Sequence, residues 1–184
     1  MIYLTYNQKE LDAQYNQATL VSDISPYVAY WNTAGEKARA TLDCQLDVPY
    51  GAADVEKLDI FPAADKNAPI HVHVHGGAWK QISKEQVSYP APHFVAAGAT
   101  YIALNFGLAP DNSLSAIVDQ VRAAIKWIWQ NAATFSGNPK RIFISGVSSG
   151  AHLSANILAA GWRESYGLPD DVIKAMGVAA GEIM

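Results

Sequence analysis

Apolar and polar residues alternate along two early stretches of the chain in the way that half-buried strands require. The stretch "LDCQLDVPYG" (residues 42–51) is followed by "VEKLDIFP" (55–62), and Gly51 marks a turn between them. Period-two alternation on both sides of a turn predicts a pair of neighbouring strands. We therefore expect the sheet to start with antiparallel strands.

Further along, the apolar residues form continuous runs instead of alternating. The runs are "PIHVHVHGG" (69–77), "ATYIALNFG" (99–107) and "RIFISG" (141–146), with helical segments between them, and "DDVIKAMGVAAG" (170–181) begins one more strand. Continuous apolar strands that alternate with helices are typical of a mostly parallel sheet covered on both faces. The pattern predicts an α/β fold with crossover helices.

Four segments have helical character. They are Asn7 to Gln17, Ser25 to Ala40, Ser113 to Ala132 and Ser149 to about Gly161. Ser25 followed by proline is a favourable helix start, and Ser113 is a candidate cap for the third helix. In that helix apolar side chains recur at helical spacing. Because residues 1–40 precede the sheet, they could cover the mouth of a site.

Composition limits the classes of function. The chain has 184 residues, of which 50% are hydrophobic and 16% charged, so residues 1–184 fit a single domain with a sizeable core. A net charge of -4 without a basic run argues against a nucleic-acid partner. The single cysteine, Cys44, excludes an internal disulfide and a thiolate metal cluster. The chain shows no signal peptide and no long apolar stretch, so we expect no membrane partner and a cytoplasmic protein.

The pentapeptide "GVSSG" follows the apolar strand "RIFIS" and precedes a helix. Gly146 and Gly150 flank Ser148 at the G-x-S-x-G spacing of a nucleophile elbow, in which small residues allow strand and helix to approach closely. The turn would place Ser148 at a helix amino terminus, where the N–H of Ser149 favours a negatively charged oxygen. We interpret Ser148 as a nucleophile, although a small-residue turn without chemistry has the same pattern. Ser149 does not hold the central position.

A second motif, "HGGAW", comes directly after the strand "PIHVHV". Glycines that leave the end of a parallel strand can present free N–H groups to the crevice above the sheet. Gly77 and Ala78 are the expected donors, together with Ser149, for the oxyanion formed when Ser148 attacks a carbonyl. An ordinary glycine turn is the simpler alternative.

The histidines allow other interpretations. His71, His73 and His75 alternate along one strand and should share one face, which would suit a metal site, but no carboxylate partner lies nearby and we favour a structural role. His75 could brace the oxyanion loop. His152 is close to Ser148 in sequence, but its helix should direct the ring into packing against the sheet.

These motifs together resemble the α/β-hydrolase superfamily, and within it the arylformamidase (kynurenine formamidase) and carboxylesterase group. The resemblance is carried by "HVHVHGGAWK", "NFGLAP" and "GVSSGAHL", and extends to "ELDAQYN" and "LDVPYG". It implies hydrolysis of an aryl formamide or a small carboxylic ester through a serine acyl-enzyme, with no metal and no cofactor. Family roles transfer to Ser148 and Ser149 and to the loop residues His75, Gly76, Gly77, Ala78 and Trp79.

A triad of this family takes its acid and then its histidine from loops after the serine. His152 is the last histidine of the chain, and Asp170 and Asp171 read as a polar cap before the last strand. We therefore expect a carboxyl-truncated hydrolase that lacks the last strands of its three-layer sandwich. The alternatives are a non-catalytic domain of the same fold and, less favoured, a metalloprotein. A small-molecule substrate is the expected partner, and a homo-oligomer is left open.

Overall fold

A computed structural model of the protein describes residues 2–16 and 22–179. The five helices of this part are α1 (Gln8–Tyr15), α2 (Ser25–Thr41), α3 (Ala91–Ala96), α4 (Leu114–Asn131) and α5 (Ser149–Leu158). The six strands are β1 (Gln45–Pro49), β2 (Lys57–Phe61), β3 (Ala68–Val74), β4 (Thr100–Leu104), β5 (Gly137–Val147) and β6 (Ile173–Ala179). No helix among the described residues has the length and apolarity needed to cross a membrane.

The strands form one mixed sheet in the order β1-β2-β4-β3-β5-β6. β1 pairs antiparallel with β2, and β2 pairs antiparallel with β4. The remaining pairs, β4 with β3, β3 with β5 and β5 with β6, are parallel. The predicted α/β fold, with its antiparallel start and mostly parallel remainder, is confirmed.

Alternation along β3 shows how the sheet is covered on both faces. Ile70, Val72 and Val74 are completely buried and belong to the main core, which also contains the apolar side of α4. His71 and His73 point to the opposite face, where a smaller cluster around Tyr101 packs near α3. Helices therefore lie on both sides of the sheet. The continuous apolar runs reflect this double burial.

Helix α4 follows the sequence prediction closely. Ser113 caps it, because its hydroxyl accepts a hydrogen bond from the Ala116 N–H at 3.2 Å. The predicted apolar positions are buried, with one exception in the first turn: Leu114 is 46% exposed. Leu114 instead lines a cleft between α4 and α5.

The other predicted helices differ at their ends. Ser25 does not cap α2 with its side chain; the Asp23 carboxylate accepts the Ser25 N–H at 2.8 Å, and the helix extends to Thr41. Helix α5 ends at Leu158, earlier than Gly161, because two side chains that follow it turn back onto its last carbonyls. Trp162 Nε1 and the Arg163 guanidinium both donate to the Ile157 carbonyl at 3.0 Å.

The amino-terminal helices make different contacts. Helix α1 begins after the predicted Asn7, which acts as its cap, and has no buried residue; Gln17 lies outside the described residues. Helix α2 packs through Gly35, whose Cα lies so close to the Glu85 carbonyl that a side chain would not fit. A covering role of residues 1–40 at the site stays a prediction.

Candidate active site

Ser148 occupies the turn between β5 and α5. Its backbone has φ 54° and ψ -124°, and its side chain caps nothing. Such a conformation is strained for a residue with a side chain and persists only where neighbouring structure imposes it. Two glycines allow it: a Cβ on Gly146 would collide with the Gly150 carbonyl, and a Cβ on Gly150 would collide with the carbonyls of Val74 and His75. The predicted elbow geometry is present.

The loop that follows β3 lies against this turn. Val74 of β3 is in register with Gly146 of β5, so the segments after the two strands leave the same edge of the sheet. An ideal Cβ built on Gly76 would lie 3.2 Å from the Ser148 Cβ and 2.6 Å from the Val147 carbonyl oxygen. The structure therefore brings the two sequence motifs into direct contact at the carboxyl ends of the parallel strands.

Residues 76–82, which contain the predicted oxyanion-hole donors and which we therefore call the oxyanion loop, have an unusual backbone. Gly77, Ala78, Trp79 and Ile82 all have positive φ, between 52° and 95°. The Gly77 carbonyl accepts the N–H groups of the two residues after Trp79, at 2.9 and 3.1 Å, which closes a tight turn. Within the described residues no acceptor is found for the N–H groups of Gly77, Ala78 and Ser149. These three amides therefore have no hydrogen-bond partner in the part of the chain that the structure describes.

Two hydrogen bonds hold Trp79 at the centre of this loop. Its N–H donates to the Ser149 hydroxyl at 3.2 Å, which ties the loop to the first turn of α5. Its carbonyl accepts the Ala109 N–H at 2.7 Å. Sequence reasoning missed both contacts. The motif "NFGLAP" pointed to the second region, but a backbone hydrogen bond leaves no signal of its own in a single sequence.

His75 contacts the first residue of the same loop. Its ring is completely buried and stacks on Phe106, with ring centroids 4.1 Å apart. Nδ1 lies 2.9 Å from the Gly76 carbonyl oxygen, a distance that places the proton on Nδ1 as the donor. Burial lowers the pKa of His75 to about 4, so the ring is neutral at physiological pH. A neutral, stacked ring suits the bracing role expected for His75.

His71 and His73 share one hydrogen-bond partner, to which His75 is not bonded. His71 Nε2 and His73 Nδ1 each lie 2.8 Å from the Ser145 hydroxyl, and His71 stacks on Phe94. His75 lies beyond the end of β3 and stacks on Phe106. The expectation that the three side chains share one face of the sheet therefore holds for His71 and His73 and not for His75. The described residues contain no group of three or more metal-ligating side chains.

The His152 ring contacts Trp79 and Asn156. It meets Trp79 edge-on, with centroids 5.5 Å apart, and its Nε2 lies 3.3 Å from the Asn156 amide. It lines a cleft of about 330 Å³ between α4 and α5, instead of packing on the sheet as expected. Within residues 2–16 and 22–179 no imidazole is hydrogen-bonded to the Ser148 hydroxyl.

The two aspartates before the last strand lie at the wrong edge of the sheet for a triad. β6 begins at Ile173 and runs parallel to β5, so Asp170 and Asp171 precede its amino end, whereas Ser148 follows the carboxyl end of β5. Asp171 forms an exposed ion pair with Lys174 at 2.5 Å. The polar-cap interpretation of the two residues stays a prediction.

Comparison with known proteins agrees with this geometry. Residues 58–174, which include both motifs, match the BD-FAE family. The chain belongs to the BD-FAE family. This member is 30% identical to the kynurenine formamidase of Danio rerio over 166 residues, and 36% identical to the esterase LipQ of Mycobacterium tuberculosis over 115 residues. These alignments include 86% and 59% of the chain respectively.

Solved structures extend the relation to the fold. A candidate thioesterase from Silicibacter sp. TM1040 superposes on this BD-FAE family member with a TM-score of 0.76 and 27% identity, covering 92% of the chain and 62% of that structure. The fold is that of an α/β-hydrolase, and the relatives place the chain in the formamidase and esterase group. The chain spans 55% of the length of the Danio rerio formamidase and 27% of LipQ.

Proposed function

We propose that this chain carries the nucleophile and the oxyanion hole of a serine hydrolase that cleaves an aryl formamide or a small carboxylic ester. The observation that supports it most strongly is the contact between Gly76 and Ser148, which brings the loop that carries the proposed donors against a serine in a strained turn. The relatives are named as a formamidase and an esterase, which disfavours the alternative of a non-catalytic binding domain.

In the proposed reaction the Ser148 oxygen attacks the carbonyl carbon of the substrate. The carbonyl electron pair moves onto oxygen, and the N–H groups of Gly77, Ala78 and Ser149 stabilise that charge. Collapse of the tetrahedral species expels the amine or alcohol and leaves Ser148 acylated, and water then releases the acid by the same steps. Donors held in place before the reaction stabilise developing charge without reorganising, which is why the strained loop matters.

The reaction also needs a base to take the serine proton and later give it to the leaving group. No imidazole in the described residues is hydrogen-bonded to the Ser148 hydroxyl, and His152 lines the α4–α5 cleft. In this proposal the acid and the histidine therefore come from outside the described residues. A cytoplasmic location and a small-molecule substrate remain part of the proposal.

Hydrolysis of N-formylkynurenine and of p-nitrophenyl acetate tests the proposal. We expect the 184-residue chain to act slowly, because a lone serine hydroxyl is a poor nucleophile at neutral pH. A longer chain that adds an acid and a histidine after Met184 should be faster by several orders of magnitude, and Ser148→Ala should abolish that gain. The ratio of the two rates distinguishes formamidase from esterase. If neither form shows a rate that depends on Ser148, the domain is not a serine hydrolase.

A further inference from the structure

A cluster of charged residues that includes a buried lysine and a buried aspartate directly follows the oxyanion loop in sequence. Lys84 is its centre: its ammonium lies 2.5 Å from Glu85, 2.8 Å from Asp47 and 3.1 Å from Asp59. The Lys84 side chain is 3% exposed, and that of Asp59 is completely buried. Arg39 of α2 binds the second oxygen of Asp59 at 2.5 Å. We call these five residues the Lys84 cluster.

Burying an ammonium and a carboxylate is costly unless geometry is good and the remaining polar atoms are satisfied. Here they are satisfied: Asp59 also accepts the Asp47 N–H at 2.8 Å, and the ammonium has three carboxylate partners. Arg39 and Asp59 alone would hold α2 against β2. Holding α2 therefore does not explain why Lys84 is buried in the same place.

What Lys84 adds is a fixed end for the oxyanion loop. It comes two residues after Ile82, the last residue of the loop with positive φ. Its backbone is held as well, because its N–H donates to the Asn105 side chain at 3.4 Å and its carbonyl accepts the Ser88 hydroxyl at 2.8 Å. The loop is also held at its centre, where Trp79 is hydrogen-bonded to Ser149 and Ala109, and at its first residue, Gly76, which lies against Val147 and Ser148.

We infer that Lys84 is a positioning residue for the oxyanion hole, acting through the loop that carries Gly77 and Ala78. A backbone with four left-handed residues keeps its conformation only if both ends are constrained. The ammonium of Lys84, set among carboxylates from β1, β2 and its own segment, is the constraint at the second end. The inference rests on the proposed function.

Amide hydrogen exchange by NMR tests it on the 184-residue chain without requiring activity. The N–H groups of Lys80 and Gln81 donate to the Gly77 carbonyl, and that of Ala109 donates to Trp79, so all three report on the loop. Lys84→Met keeps an unbranched side chain of nearly the same length and removes its charge. We expect these three amides to exchange at least about 10-fold faster, with α4 unchanged. Lys174→Met, which removes the exposed pair with Asp171, is the matched control and should change none of them.

Activity provides the second measurement. In the form that hydrolyses substrate, Lys84→Met should lower kcat by about 10- to 100-fold and leave KM within about threefold, because the loss concerns transition-state geometry. Exchange rates within about twofold of the unmodified protein would overturn the inference. Faster exchange with unchanged kcat would overturn its catalytic part.

Two controls keep the outcomes separate. If Lys84→Met does not fold, combining it with Asp59→Asn removes the buried carboxylate that has lost one of its two cationic partners, and the same increase in exchange is expected from the double variant. If the unmodified protein hydrolyses neither substrate in any form, the proposed function fails, whereas the exchange rates still decide whether Lys84 anchors the loop.

Discussion

Gly76 is the residue at which the contact between the two motifs can be tested by a single methyl group. It is buried, and its φ is not positive, so alanine is compatible with the backbone itself. The added Cβ of Gly76→Ala would lie 2.6 Å from the Val147 carbonyl oxygen, whereas real Cβ atoms essentially never come within 3.0 Å of such an atom. The oxyanion loop or the turn at Val147 and Ser148 must therefore shift, so that the two segments separate.

The structure sets the size of this effect. Reaching a separation of 3.0 Å requires a displacement of at least about 0.4 Å, and the atoms opposite are backbone and cannot rotate away. Overpacking of this kind costs about 1–3 kcal/mol. For a domain of this size, each kcal/mol lowers Tm by about 2–4 °C. Because a misplacement of about 1 Å can cost about 100-fold in rate, we expect kcat to fall about 10-fold.

Thermal unfolding followed by circular dichroism, with kcat measured on p-nitrophenyl acetate, is the assay. Gly177→Ala in β6 is the matched control: its Cβ would meet only the Ser145 Cβ at 3.9 Å, and its φ is not positive. It should leave Tm unchanged or raise it slightly. Equal Tm values for Gly76→Ala and Gly177→Ala, with unchanged kcat, would refute the contact between the oxyanion loop and the elbow.

Three further predictions concern the histidines. Burial lowers the pKa of His71 and of His73 to about 4. Their neutral forms therefore stabilise the fold above about pH 6.5, and this contribution is lost as the pH falls toward 4. Urea unfolding between pH 7 and pH 4 should show the decline in the free energy of unfolding, and replacing both histidines by glutamine should make that decline smaller. Ser145→Ala leaves two ring nitrogens without their partner and should cost about 1–3 kcal/mol in the same assay, with hydrolysis within about twofold. His152→Ala should lower hydrolysis by less than about threefold, and a loss of several orders of magnitude would make His152 the base.

The elements of the fold with the strongest periodicity were predictable from the sequence. Helix α4 repeats apolar residues over several turns, so the prediction of its range and of its Ser113 cap is confirmed. Helix α5 was predicted too long, because its end is set by Trp162 and Arg163, which fold back from beyond it. Such contacts depend on tertiary structure and leave no periodic signal.

The motifs of the candidate site were predictable to a similar degree. Spacing alone indicates that Ser148 lies in a turn flanked by glycines, since close strand–helix contact requires residues without side chains there. The hydrogen bond from the Trp79 N–H to the Ser149 hydroxyl and the burial of Lys84 were not predictable. Both depend on which loops meet above the sheet, and surface lysine is the ordinary expectation for that residue type.

The most direct test of the account is to find which residue forms a covalent bond with a serine-directed electrophile. The 184-residue chain is incubated for hours with a fluorophosphonate, digested, and mapped by mass spectrometry, with Ser148→Ala in parallel. We expect a slow, single adduct on the peptide that contains Ser148, at Ser148 itself, and none in the variant, because the helix terminus and the amides of Gly77 and Ala78 stabilise the charged oxygen formed there. An adduct on Ser149 or Ser145, or equal labelling of the protein and its Ser148→Ala variant, would contradict it.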